Sequence, residues 1–262
     1  MTDTLKIDQQ GGVLTLTMNR PEVRNALNTD MTAALVSELN AAACDSSVRV
    51  VVMTGAAGAF CAGGDVKAMA ATGQINSVNE AAQSLRGRAD AVRILHEMPK
   101  PTVALLPGAA AGAGLGIALS CDFRLAVSTA KITTAFTSVG LSGDFGISYF
   151  LPRIVGAAKA LELMSFATVL TAQQALDLGL LTRVFTAESM QAESAAFIAQ
   201  LANRPTVALG MVKRNLALGM DLPLAQLLDH ESLNQSLART TEDHREASAA
   251  FVAKRTPQFM GR

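Results

Sequence analysis

The sequence predicts an α/β fold on three observations: apolar runs of strand length, glycine-rich loops directly after them, and alanine- and leucine-rich helical segments after each loop. Strand, glycine loop and helix follow one another twice in the first half of the chain. From Leu151 onward that alternation gives way to segments that read almost wholly as helix.

The elements can be justified in order. Val13-Leu14-Thr15-Leu16-Thr17-Met18 alternates apolar and hydroxyl residues, the period of a half-buried strand. Asn28 then precedes an Ala/Leu-rich segment to Ala43, with Met31, Ala34, Leu35 and Leu39 at helical spacing. Asn is a favoured N-cap because its side chain accepts from an orphan backbone N–H. Val48 to Met53 is apolar and β-branched, as expected of a strand buried on both faces. The loop Gly55 to Gly64 follows, then a short helix from about Val66. A second unit begins at Thr102-Val103-Ala104-Leu105-Leu106, turns at Pro107-Gly108, and runs through Ala113 to Ser120 into a strand from Phe123 to Val127. Thr171-Ala172-Gln173-Gln174 is a capping box, and Leu180 to Val184 reads as a last short strand. Pro205 to about Lys254 reads as two or three helices.

Composition narrows the function. Half of the 262 residues are hydrophobic and 17% are charged, against an average of about 25%, so a large buried core is expected. Lys+Arg and Asp+Glu cancel at 22 each, and one Tyr with no Trp supplies no stacking platform, which excludes a nucleic-acid binder. Cys44, Cys61 and Cys121 are odd in number and widely spaced, which fits neither a disulfide framework nor a thiolate zinc site. Met1 to Gln10 has no apolar segment of the kind a signal peptide needs. Pro101 to Cys121 carries no charge, but Pro107, Gly108, Gly112, Gly114 and Gly116 interrupt it, so buried strand, turn and helix are expected rather than a membrane span. A cytoplasmic protein is the expectation.

Familiar catalytic motifs fail one by one. Gly112-Ala113-Gly114-Leu115-Gly116 lacks the third Gly of a dinucleotide fingerprint, with Ile117 in its place. Gly140-Leu141-Ser142-Gly143-Asp144 misses the hydrolase elbow at its fifth position. His96, His230 and His244 have no metal-ligand spacing, so no metal is expected. What remains are two glycine loops, each leading from a strand into a helix. Such loops expose backbone N–H groups where the helix dipole favours negative charge, and two converging on one point could hold an oxyanion; they could equally be packing glycines.

At these loops the chain resembles the crotonase (enoyl-CoA hydratase/isomerase) superfamily. The matching pieces are Asn19-Arg20-Pro21, Asn25-Ala26-Leu27-Asn28, Gly58 to Asp65, Lys100 to Ala104, Gly108 to Gly114, Cys121-Asp122, Leu151 to Gly156, Ala172 to Leu180 and Phe251 to Arg262. The resemblance implies a crotonase-like spiral of ββα units with a CoA-thioester site over residues 1–200 and a helical trimerisation region over 201–262. It implies an acyl-CoA substrate, a homotrimer or dimer of trimers, and no cofactor, coenzyme A being part of the substrate. The N–H groups of Gly64 and Ala113 should polarise the thioester carbonyl. Arg24, Ala62 and Lys254 match places that touch the CoA nucleotide; both cations could equally be ordinary solvated side chains. Asp65 joins them as a candidate binding residue.

The departures carry more information. The positions of the two hydratase glutamates are occupied here by Gly116 and Phe136, neither of which moves a proton. Asp144 instead matches the acidic residue of the isomerases acting on ring-epoxidised phenylacetyl-CoA and of the 4-chlorobenzoyl-CoA dehalogenases. The dehalogenase helpers are missing, with Ala89 and Phe136 at their positions. An isomerase with Asp144 as proton shuttle is therefore expected, its carboxyl raised by Phe136, Phe145 and Phe150. The alternatives are an unusual enoyl-CoA hydratase and a non-catalytic acyl-CoA-binding subunit; for Asp144 itself, the alternative is an N-cap of a helix starting near Phe145. Tyr149 is a candidate to line the pocket, or to pack in the core. The segment from Val66 to Ala89, with Gly73, Asn76 and Ser77 in a mobile loop, is expected to shape the acyl pocket.

Overall fold

The computed structural model describes residues 4–72 and 77–262, so Gly73 and Asn76 lie outside the described residues. Among the described residues nine strands form two sheets: β1 (Leu5–Gln10), β2 (Val13–Met18), β3 (Val50–Gly55), β4 (Thr102–Leu106), β5 (Ala110–Ala111), β6 (Phe123–Val127), β7 (Lys131–Thr133), β8 (Leu170–Thr171) and β9 (Arg183–Phe185). The large sheet has the order β1-β2-β3-β4-β6-β9; the small one is β5-β7-β8. Only the β1–β2 pair of the large sheet is antiparallel. Its turn is Gly11-Gly12, with φ of 54° and 81°, the left-handed pair that a two-residue hairpin turn requires.

The central strands are buried on both faces. One face carries the main core, where Leu16, Met53 and Leu106 meet Met31, Leu35, Leu95 and Ile117. On the other, Val50, Val52, Val103, Leu125 and Phe185 pack under the helix Met190–Ala202 through Ile198 and Ala202. The uncharged stretch from Pro101 to Cys121 resolves into β4, β5 and the helix Ala113–Ser120, all eight of whose residues are buried. Among the described residues no helix is long and apolar enough to cross a membrane. The C-terminal region is helical, as expected: Thr206–Gly219, Leu224–Ala238 and Glu242–Val252. Lys213 ties the first of these to the sheet through Asp122 at 3.0 Å.

Local signals act as their chemistry dictates. Asn28 Oδ1 accepts from Met31 N at 2.9 Å, and both halves of the Thr171–Gln174 capping box are made. Ser77 stands just before a helix: its hydroxyl accepts from Glu80 N and caps the helix Val78–Arg88.

Asn25 organises the entrance to the first glycine loop. It is fully buried, with φ of 59°, a left-handed conformation that Asn tolerates better than most residues. Its Oδ1 accepts from Arg20 N at 3.0 Å, and its Nδ2 donates to the carbonyls of Ala56 and Ala59, both at 2.9 Å. Asn25→Ala would abandon all three partners, at about 1–3 kcal/mol for each buried group left unpaired. The urea midpoint should fall with the slope of the transition unchanged; a midpoint equal to the wild type's would contradict this role.

Candidate active site

Two loops meet at one end of the parallel sheet. The first leaves β3 at Gly55; the second leaves β5 at Ala111. They zip together where Phe60 N and Cys61 N donate to Ala109 O, at 3.0 and 3.2 Å, and Ala111 N donates to Cys61 O at 2.9 Å. Beyond that pairing the loops stay close. Gly63 has φ of 91°, and a Cβ there would lie 2.9 Å from Ala111 O and 3.3 Å from Ala113 N. Gly112, with φ of 52°, donates to Thr133 O and starts the buried helix at Ala113.

Two donors are left over. Leu27 pairs with Gly64 as an isolated bridge, but it is Leu27 N that donates, to Gly63 O. Among the described residues neither Gly64 N–H nor Ala113 N–H has a protein acceptor. Ala113 N–H is an orphan by position as well, at the positive end of its helix.

Gly64 and Ala113 both line a cavity of about 100 Å³ whose wall also includes Ala62, Phe136, Met69, Leu141 and Asp144. Larger hollows lie beside Lys100 and beside His96, of about 440 and 570 Å³, but neither contains this donor pair. Size alone does not pick out the site.

The position of Asp144 depends on Gly116. A Cβ at Gly116 would lie 2.4 Å from Phe145 O and 2.9 Å from Phe145 Cβ, so the segment carrying Asp144 occupies space that any side chain at 116 would need. That segment is sharply bent, with left-handed φ at Gly143, Phe145 and Gly146. The following helix, Ile147–Val155, has Gly146 as its N-cap and no side-chain cap bond, so Asp144 does not serve as the cap. Its Oδ1 is buried without a hydrogen-bond partner. Desolvation holds the carboxyl above its ordinary range, with the charge of Arg88 opposing. Phe136, Phe145 and Phe150 are all buried, and Phe136 lines the cavity with Asp144.

The other candidates separate. Asp65 has both oxygens occupied, by Arg20 at 3.0 Å and by Ala68 N at 3.1 Å; the bond from Ala68 first, then that from Arg20, keeps its carboxyl low. It holds the mouth of the first loop and lies outside the cavity lining. Arg24 is exposed, and its carbonyl accepts from Ala62 N at 3.0 Å, which sets it beside the cavity rim. Lys254 is exposed on the C-terminal segment, away from this cavity. Tyr149 corrects both expectations for it: it neither lines the cavity nor packs in the core. It sits on the outer side of its helix, 37% exposed, with Arg153 3.6 Å over its ring and His96 against its edge. Among the described residues no three His, Cys, Asp or Glu side chains cluster as a metal site would require.

Sequence reasoning missed Met69 and Leu141 individually. Met69 Cε lies where a Cβ at Gly64 would come within 2.5 Å, so this side chain roofs the donor pair. The one signal was compositional: Met69 and Leu141 are large apolar residues, 45% and 44% exposed, on segments flanking glycines.

A raised carboxyl has a consequence for stability. The folded chain binds the Asp144 proton more tightly than the unfolded chain does, so ionising it costs stability. The cost is absent below the unfolded value near 3.8, sets in as pH rises from there to the higher folded value, and is complete above it. Asp144→Asn should therefore be more stable than wild type at neutral pH, with the advantage shrinking as pH falls through the raised folded value and gone below the unfolded value near 3.8. Thermal melts across that range check it; a difference independent of pH would contradict it.

Comparison with known proteins identifies the family. Residues 8–262 match the family Enoyl-CoA hydratase/isomerase. The 1,2-epoxyphenylacetyl-CoA isomerase of Escherichia coli K12 is 36% identical over 253 residues, covering 96% of each chain. The 2,3-dehydroadipyl-CoA hydratase of the same organism is 35% identical over 258 residues, covering 98% of this chain and 99% of that one. The crystal structure of an enoyl-CoA hydratase from Polaromonas sp. JS666 superposes with a TM-score of 0.91 at 36% identity, over 97% of this chain and 99% of that one. The two free N–H groups, the paired glycine loops and the match along almost the whole chain lead to one conclusion: the chain belongs to the enoyl-CoA hydratase/isomerase family of the crotonase superfamily.

Proposed function

We propose that this family member is an acyl-CoA isomerase in which Asp144 moves a proton between carbons of a bound thioester enolate. One observation carries the reading: a desolvated carboxylate with a free oxygen shares a cavity of about 100 Å³ with two free backbone donors. The positions where hydratases carry their glutamates hold Gly116 and Phe136.

The proposed steps are three. Gly64 N–H and Ala113 N–H donate to the thioester oxygen. The Asp144 carboxylate takes a proton from the acyl chain, and the electron pair moves onto that oxygen as an enolate. Asp144, now protonated, returns the proton to a different carbon as the pair flows back. Fixed donors aimed at developing charge need no reorganisation, and removing one costs about 3 kcal/mol of barrier in comparable sites. Desolvation makes Asp144 both a stronger base and a usable acid. Arg24, Ala62 and Asp65 would form or support the nucleotide end of the CoA site, with Lys254 reaching it from a neighbouring subunit. Leu216, Leu224, Phe251 and Val252 are 69–85% exposed on the C-terminal helices, which favours a homotrimer or a dimer of trimers. The proposed setting is the cytoplasm.

A hydratase is the second reading, favoured by relatives such as the 2,3-dehydroadipyl-CoA hydratase. A non-catalytic acyl-CoA-binding subunit is the third. Deuterium exchange at the acyl α and γ carbons, followed alongside loss of the enoyl absorbance, separates all three. Wild type should exchange or migrate the double bond without hydration, and Asp144→Asn should lose about 10²–10⁴ of that rate, the usual contribution of a positioned base. Brisk hydration that survives Asp144→Asn would contradict the isomerase; CoA binding with no turnover in wild type would indicate the binder.

A further inference from the structure

Of the twelve residues that line the cavity shared by Gly64, Ala113 and Asp144, only Asp144 has a polar side chain. The rest of the wall is glycine, alanine and large apolar residues, with no Lys, Arg, His, Ser, Thr, Asn or Gln among them. The residues outside the described set, 1–3 and 73–76, include no Lys, Arg or His either. Cations near the site in sequence have other partners or stand outside the wall. Arg20 binds Asp65 at 3.0 Å, and Lys67 is exposed and acts on Asp65. Arg24 is exposed beside Ala62, at the end assigned above to the nucleotide, and Arg88 is not part of the lining.

The cavity has an open apolar rim. Val66, Met69, Val139 and Leu141 all line it, yet they are 48%, 45%, 50% and 44% exposed. Val66 and Met69 lie one turn apart on the helix Val66–Thr72 and so share a face. Val139 and Leu141 belong to a separate segment, at and just after the short helical turn Thr137–Val139. Two segments thus bring four large apolar side chains to one small cavity and leave each of them partly in water. Exposed apolar surface grouped around a pocket marks what the pocket binds.

Volume says which part of a substrate meets the rim. About 100 Å³ is well under the ~300–1,000 Å³ of a site that encloses a drug-sized ligand. The enclosed space takes the thioester and the carbons beside it, and the rest of the acyl group lies along the four rim side chains. An uncharged hydrocarbon end covers that apolar surface and removes it from water. A carboxylate at the same place gives up hydration, finds no donor in the wall, and adds a second negative charge to the cavity that holds Asp144.

We propose that the acyl group this chain accepts is an uncharged, apolar one, and that Val66, Met69, Val139 and Leu141 select it against acyl groups that end in a carboxylate. The proposal deepens, and rests on, the reading of this cavity as the acyl-CoA site. It separates this chain from a relative of similar identity, the 2,3-dehydroadipyl-CoA hydratase, whose named substrate carries a second carboxylate.

The test pairs acyl-CoAs of equal carbon number that differ only at the far end: 3-hexenoyl-CoA against 3-hexenedioyl-CoA for turnover, and hexanoyl-CoA against adipoyl-CoA for binding by calorimetry. Turnover is counted as exchange plus hydration, so the ratio does not depend on which reaction occurs. One methylene group in an apolar pocket is worth about 10–200-fold, so the methyl-ended member should be favoured at least about tenfold in both kcat/KM and Kd. Leu141→Arg, which sets a cation on the rim, should narrow both ratios several-fold; Val139→Lys takes its place if that variant does not fold. Ratios near one in wild type, or in favour of the carboxylate-ended member, would overturn the proposal. So would ratios that neither rim variant changes. Full exchange in Asp144→Asn would instead overturn the reading of Asp144 as the base, and the calorimetric ratio would still decide the acyl class. Absence of acyl-CoA binding to wild type would remove both.

Discussion

The site depends on how closely two backbone loops can approach. With a side chain at position 63 the carbonyl of Ala111 and the N–H of Ala113 would be pushed away, and the two free donors would no longer face one space. Three hydrogen bonds between the loops set their spacing, and Asn25 fixes the first loop from behind. Gly114 continues the contact, since a Cβ there would meet Cys61 within 2.5 to 2.8 Å. The donors are therefore preorganised by the packing of main chain on main chain. The chemistry asks nothing of the side chain at 113 except that it be small.

The same logic places the carboxylate. A glutamate at 116 and the present path of residues 143–146 exclude each other, because Phe145 O lies where the side chain would begin. Loss of a side chain at 116 and arrival of Asp144 at the cavity are two aspects of one packing solution. Phe136 completes it: its ring is buried and forms part of the same cavity wall as Asp144. Burial and the charge of Arg88 then pull the carboxyl in opposite directions, with burial the larger effect.

Much of the fold was legible because its signals are local. The alternation in Val13–Met18, the apolar run that became β3, the Asn28 cap and the Thr171 capping box each state a short-range requirement, and the structure meets them. β1 gave no such signal: only Leu5 of its six residues is buried, so its pattern carries no period. The last strand begins at Arg183 rather than Leu180, because Leu180 and Leu181 are buried in the main core before the chain joins the sheet. In the site, Gly64, Ala113, Ala62, Phe136 and Asp144 could be placed through the family resemblance. Tyr149 could not: whether a residue two positions into a helix faces inward depends on where that helix begins, and Gly146 rather than Asp144 begins it.

The central claim is that Gly64 N–H and Ala113 N–H polarise a thioester carbonyl. Isotope-edited infrared spectroscopy of a bound, unreactive acyl-CoA tests it directly in wild type and in Ala113→Pro. Proline removes that N–H and puts a ring carbon in its place, at the first position of a helix where proline is well tolerated. The carbonyl stretch should move to lower frequency on binding to wild type and lose part of that shift in Ala113→Pro. A stretch unshifted by wild type, or shifted equally by both proteins, would contradict the account.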